Sequence, residues 1–167
     1  QERELSWLTS EQITELLESI RTRCDNPHVE PIVLICLATG ARWSEAEKLK
    51  PTSLRKCVIT FSGTKSGKVR SIPISSELEV KLINHWKQYG QFTSAITLAR
   101  TSIRLPKGQA AHALRHTFAS HFVQNGGNIL TLQKILGHST VVMTMRYSHL
   151  APNHLSEAVG FSPRLFD

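Results

Sequence analysis

The 167 residues predict an α+β domain, mainly α-helical, with a small antiparallel β-sheet at one edge. Three observations predict it. Apolar residues recur at helical spacing behind Ser and Thr capping positions along most of the chain. One interval, 54–74, changes to the period of strands. No repeat, low-complexity run or interdomain linker divides the rest, and 40% apolar with 20% charged residues is the composition of a globular domain long enough to bury a core.

The elements follow in order. Thr9 and Gln12 form a capping-box pair, with Leu8 and Ile13 as the accompanying staple, and Ile13, Leu16, Leu17 and Ile20 give the first helix its apolar face. After Asn26-Pro27, a second helix over 29–39 is apolar nearly all round, which places it at the centre of the core, and Gly40 ends it. Ser44 and Glu47 read as another capping box over a short helix to Leu49. Arg42, just before it, is either a buried ion pair with Glu45 or Glu47, or a bidentate ligand for phosphate.

Val58–Phe61 and the stretch 69–74 are strand formers joined by a hairpin turn, and Pro73 confines the second strand to an edge. Lys65 and Lys68 in the turn, with Arg70 just past it, form a solvated tip or a cationic finger that reaches into nucleic acid. Ser76 and Glu79 cap the next helix, with Leu78, Leu82 and Trp86 inward and Gly90 as its stop. A further helix spans about 93–104, and the loop after it carries Lys107.

From His112 the chain is helical again. Residues three apart lie one turn above each other, so His112 and Arg115 can face one external group while Leu114, Phe118 and Phe122 form a buried stripe. Gly126-Gly127 breaks this helix. Ile129, Leu132, Ile135 and Leu136 face the core from a short one closed by Gly137, with His138 directly after. Ser139 or Thr140 caps a helix carrying Val141, Met145 and Tyr147, and a last amphipathic helix from Pro152 has little core left to cover.

The formal net charge of +7 favours a polyanionic partner, nucleic acid before membrane. Cys24, Cys36 and Cys57 have neither disulfide-framework nor zinc spacing and fit a reducing cytoplasm. No signal peptide opens the chain, and no apolar run approaches the roughly 18 residues of a membrane span. The first residue is Gln1, which reads as a piece of a longer protein.

Taken together, Thr39-Gly40-Ala41-Arg42-Trp43-Ser44-Glu45, Lys65, His112-Ala113-Leu114-Arg115-His116, Leu136-Gly137-His138 and Tyr147 resemble, in order and spacing, the tyrosine recombinases. Within that family the chain resembles the integrases of P2-like and Haemophilus temperate phages. The likeness covers about Leu8 to Ala158, and its five parts together are far more specific than a lone His-x-x-Arg. Ala41 and Trp43 replace the Leu or Ile usual around the first Arg, as in the phage subgroup.

The resemblance implies the catalytic-domain fold of that family over 1–167, without its N-terminal DNA-binding portion. It implies site-specific recombination through a 3′-phosphotyrosyl intermediate. Tyr147 would be the nucleophile, Arg42 and Arg115 would clamp the non-bridging oxygens, and His138 would donate a further hydrogen bond. His112 would be the general base, Lys65 by motif placement the general acid, with Lys68 three residues on as the alternative that pattern alone does not separate, and Glu45 would orient Arg42. Lys68, Arg70, Lys107 and Arg146 are candidate DNA contacts, and His116 reads as a packed or hydrogen-bonded helix residue. No cofactor or metal is called for.

The implied partners are double-stranded attachment sites, further copies of the chain (a dimer of the domain, a tetramer on DNA), a host DNA-bending protein and an excisionase, in the bacterial cytoplasm. The tail 148–167 would pack on a neighbouring protomer. Elementary chemistry supports these residue types. A phenol with a pKa near 10 needs a base or a strong positive field, and guanidinium forks match the oxygens of a phosphorane.

Three rivals remain. A type IB topoisomerase-like nicking-closing enzyme shares the side chains, although a tail that exchanges between protomers is a recombinase habit. A non-catalytic DNA-binding module would lack any use for the full set. A zinc site built from His112, His116 and His138 would set Arg115 beside the cation.

Overall fold

Helix α2 (Val29–Thr39) is the axis of the computed structural model, which describes residues 6–62, 67–93 and 112–167. Val29, Ile32, Val33 and Ile35 are fully buried on it, each contributing about 1.5–3 kcal/mol of apolar transfer. It packs against α1 (Ser10–Arg23), α3 (Trp43–Glu47), α4 (Ser76–Tyr89) and α5 (Ala113–Gln124). The α+β, mainly helical expectation holds.

Local chemistry sets the ends of these elements. Thr9 and Gln12 exchange both capping-box hydrogen bonds, at 3.2 Å and 2.9 Å. Two expected capping boxes shift. The cap of α4 is Ser75, whose hydroxyl accepts from Leu78 N, while Glu79 reaches across to Cys57 N. Before α3, Glu45 accepts the Arg42 N–H at 3.0 Å, and Glu47 instead takes Trp43 Nε1–H at 3.1 Å.

The sheet has three antiparallel strands in the order β1 (Leu54–Arg55), β2 (Val58–Phe61), β3 (Arg70–Pro73). Pro73 lies on an edge strand as expected, paired with Val58, and Arg70 stands opposite Phe61. The additional strand β1 turns into β2 through Lys56 and Cys57, both at positive φ, 50° and 59°. That left-handed pair matches the twist of a two-residue hairpin.

Beyond α5 come α6 (Ile129–Leu136), the short α7 (Val141–Thr144) and a tight helical turn over Met145–Leu150 that carries Tyr147. Ala119 and Val123 of α5, Leu132 and Leu136 of α6, and Tyr147 make a second, smaller core. The expected stripe on α5 is only partly right. Leu114 is buried, but Phe118 and Phe122 are half-buried and line an open apolar groove of about 410 Å³ with Ile13 and Leu37. Residues 151–167 are exposed throughout, and α8 (Glu157–Phe161) is a single short helix within them. Among the described residues no helix is long and apolar enough to cross a membrane. The helix expected over about 93–104 falls almost wholly outside the described residues.

Candidate active site

Two left-handed glycines prepare the site. Gly40 (φ 73°) ends α2, and a Cβ there would lie 2.6 Å from Phe118 Cδ1 and 2.7 Å from Leu136 Cδ2. Gly137 (φ 72°) ends α6, and a Cβ there would lie 2.8 Å from Arg70 Cδ. Both positions therefore require glycine for conformation and for space.

Between these two helix ends sits Arg115. It is 5% exposed, and its guanidinium donates through Nη1 to Gly40 O at 2.8 Å and through Nη2 to Leu136 O at 2.5 Å. Carbonyls at helix C-termini are the negative ends of their dipoles, so the cation is well placed. Burial, then the neighbouring Arg42, brings its pKa down to about 10, which still leaves it charged at neutral pH.

Arg42 is not the buried ion pair that local sequence allowed. Its side chain is 44% exposed and its Nη1 stands 4.0 Å from Glu45 Oε1. The buried pair is Arg70 with Glu45, at 2.8 Å. Arg70 also donates to Ile135 O at 2.9 Å and lies over the Phe61 ring, 5.2 Å from its centroid. As a candidate DNA contact Arg70 is thus corrected: its guanidinium is turned inward and occupied. Burial pushes the Glu45 carboxyl up, but the hydrogen bonds from Arg70 and Arg42 hold it below the ordinary carboxylate value.

Tyr147 is 2% exposed, and its hydroxyl lies 2.6 Å from His116 Nδ1. The imidazole on the phenol is therefore His116 of α5, while His112, expected as the base, lies exposed at the start of that helix with its ring 6.2 Å from that of His116. Burial first, then the charges of Arg146, His112 and Arg115, brings His116 down to about 4, so the ring is neutral. Burial raises the Tyr147 pKa against the opposing pull of Arg146 and Arg115, so the phenol is protonated. His112, though exposed, is lowered as well, by partial loss of hydration and then by Arg42, Arg115 and Arg146.

His138 follows Gly137 and places Nδ1 2.8 Å from Thr144 Oγ1, a buried hydroxyl. Burial, then Arg115, Arg42, Arg146 and Arg70, holds it at about 4. One electrostatic neighbourhood thus joins the start of α3, helix α5, the turn after α6 and the Tyr147 turn. Arg146 is exposed beside it. Lys68 is exposed at the end of the hairpin, and Lys65 and Lys107 lie outside the described residues.

His116 is the residue that sequence reasoning left out of the site. Its one signal was the spacing of four from His112, on the same helix face. His121, about one turn and a half further along α5, is half-buried, with Nε2 2.7 Å from Leu8 O.

A model of the phage integrase family matches residues 6–102 and 89–154. The integrase of Escherichia phage 186 is 53% identical over 169 residues, covering 98% of this chain and 49% of the relative. The catalytic domain of the bacteriophage HP1 integrase superposes with a TM-score of 0.82 at 51% identity, covering 96% of each chain. The Tn1549 transposon integrase in complex with circular intermediate DNA shares the fold, with a TM-score of 0.71 at 24% identity over 95% of this chain and 66% of that one. The chain spans about half the length of the curated phage integrases it matches.

Proposed function

The chain belongs to the phage integrase family, and on that footing we propose that it is the strand-cutting and rejoining part of a site-specific DNA recombinase. The reading rests above all on a buried phenol whose hydroxyl meets an imidazole inside a cluster of guanidinium groups. Tyr147 attacks the scissile phosphorus and keeps the 3′-phosphate as a phosphotyrosyl ester. Arg42 and Arg115 bind the non-bridging oxygens, where two planar forks oppose the charge that grows in the phosphorane.

His138 suits a donor role in this reading. If Nδ1 accepts the Thr144 hydroxyl, the ring proton sits on Nε2, free to meet an anion. Lys65 protonates the departing 5′-oxygen, which as an alkoxide would otherwise be a poor leaving group. Glu45 fixes the backbone of Arg42 rather than chiefly its guanidinium. His112 stands at the mouth of the site, where protons exchange with solvent. The covalent ester conserves the energy of the broken linkage, so no nucleotide cofactor is needed.

DNA as substrate accords with the solved complex of the Tn1549 integrase. The exposed tail carries Leu155, Val159, Phe161, Leu165 and Phe166 with no core to cover, which suits packing on another copy of the chain. The test is capture of a covalent adduct on nicked duplexes whose short 5′ fragment diffuses away after cleavage. The wild-type chain should be trapped and the Tyr147→Phe variant should not. Equal trapping of the variant would overturn the assignment of the nucleophile. Joining of two different duplexes, against relaxation of supercoils alone, separates recombination from nicking and closing.

A further inference from the structure

We propose that His116 is a catalytic residue: it takes the proton of Tyr147 during attack and returns it during rejoining. The inference rests on the recombinase reading above and adds to it the identity of the base. Its first support is geometric. The Tyr147 hydroxyl and His116 Nδ1 are 2.6 Å apart, inside a site where both residues are buried. His112 is one helical turn away and exposed.

The second support is the direction of that hydrogen bond. A neutral imidazole has one nitrogen that donates and one that accepts, and an imine nitrogen accepts better than a phenol oxygen does. The phenol therefore donates to Nδ1, and the ring proton rests on Nε2. The hydrogen bond already lies along the path that the proton must take.

The third support is the field. The groups that act on the His116 ring are His112 and Arg115 from α5 and Arg146 and Tyr147 from the turn 145–150. Burial and these cations disfavour the imidazolium. A phosphate diester entering among the guanidinium groups brings a negative charge that offsets them, so the base gains strength when substrate arrives. A nucleophile that stays protonated without DNA is protected from spurious reaction.

The step balances. As Tyr147 Oη bonds to phosphorus, its proton passes to His116 Nδ1 and an imidazolium forms. The P–O5′ bond breaks with its electron pair on O5′, which is protonated by the acid assigned to Lys65. In rejoining, a 5′-hydroxyl attacks phosphorus and gives its proton to the amine left at Lys65, the Oη–P bond breaks, and His116 gives its proton back to the phenolate.

The test begins with a pool of nicked duplexes of random sequence, from which the wild-type chain recovers a cleavable duplex by covalent capture. On that duplex, single-turnover cleavage is compared for wild type, His116→Asn and His112→Asn. Each is also prepared with Tyr147 replaced by 2,3,5-trifluorotyrosine, whose phenol ionises near neutral pH. An Asn side chain can still accept the hydrogen bond but cannot take the proton. His116→Asn should therefore lose on the order of 10²–10⁴-fold, and the fluorinated phenol should return most of that loss. A purely structural role would give a loss that fluorination does not repair.

Wild-type rate in His116→Asn, or recovery by the fluorinated phenol confined to His112→Asn, overturns the proposal while leaving the recombinase reading intact. No adduct from the wild-type chain anywhere in the pool overturns both. Should His116→Asn fail to fold, nitrogen NMR of the wild-type chain decides: Nδ1 of His116 must be the unprotonated, accepting nitrogen and must shift in Tyr147→Phe. A protonated Nδ1 overturns the proposal.

Discussion

Arg70 forks onto Glu45, with Nη1 2.8 Å from Oε2 and Nη2 3.3 Å from Oε1, and the same carboxylate accepts the Arg42 N–H at 3.0 Å. One side chain thus ties the edge strand β3 to the first turn of α3, directly beneath a half-exposed guanidinium. A pair so far removed from water stands because each partner satisfies the other.

Removing one partner should therefore be costly. Glu45→Ala leaves the Arg70 charge, which is 6% exposed, without its counter-ion, and should lower stability in urea by about 3–5 kcal/mol. Because the folded Glu45 carboxyl titrates below its ordinary value of 4.5, its contribution is complete above that pH and is lost as the pH falls through the lower folded value. The difference between wild type and Glu45→Gln should shrink over that acid window, as followed by denaturation at stepped pH.

The two proposed phosphate clamps should separate under conservative substitution. Lysine cannot span both carbonyls held by Arg115, and one buried carbonyl left unpaired costs about 1–3 kcal/mol. Arg115→Lys should lose thermal stability and also cleavage, the latter on the order of 10²–10³-fold. Arg42→Lys, at a side chain 44% exposed, should lose cleavage to a similar degree with little change in melting temperature.

Acid should loosen the site through its histidines. His116 and His138 titrate near 4 in the folded chain against 6.5 when exposed. Between those values the unfolded chain binds protons that the folded one refuses. Destabilisation is absent above about 6.5, grows as the pH falls, and levels off below about 4. Melting curves at pH 7, 6 and 5 should show it, and His138→Asn should flatten the dependence.

Gly137→Ala should destabilise the chain by about 1–3 kcal/mol through its left-handed backbone alone, with more added because the new methyl would strike Arg70. Gly126→Ala is the control: its φ is also positive, at 93°, but nothing lies within 4 Å of the added carbon. Thermal denaturation should rank Gly137→Ala below Gly126→Ala.

Deleting 152–167 should leave the melting temperature unchanged, since these residues are exposed throughout. Sedimentation should show self-association weakened by the deletion. A stable, equally associated truncated chain would remove the tail from the interface.

Most helices were legible because their signals are local. Thr9 and Gln12 cap where expected, and Gly40 and Gly137 end their helices in left-handed conformations. Strand β1 was not legible, since its turn is Lys56-Cys57 and lacks the Asn-Gly or Asp-Gly that advertises a two-residue hairpin. The inward turn of Arg70 was hidden for another reason: its partner is 25 residues away, and nothing beside it in the sequence marks a buried cation. His116 likewise finds its hydroxyl 31 residues along the chain. Contacts of that kind depend on which helix ends meet, and that is settled only by the packed core.

Among the described residues Arg115 is moored by neutral carbonyl oxygens at two helix ends, and no carboxylate hydrogen-bonds to it. Its charge is thus held by dipoles, which position it without cancelling it. An anion arriving at this spot has no carboxylate among the described residues to displace from hydrogen bonds with the guanidinium. The wait for substrate leaves its position unaltered, so the reorganisation that a flexible surface arginine would undergo on each encounter was completed once, when the polypeptide folded.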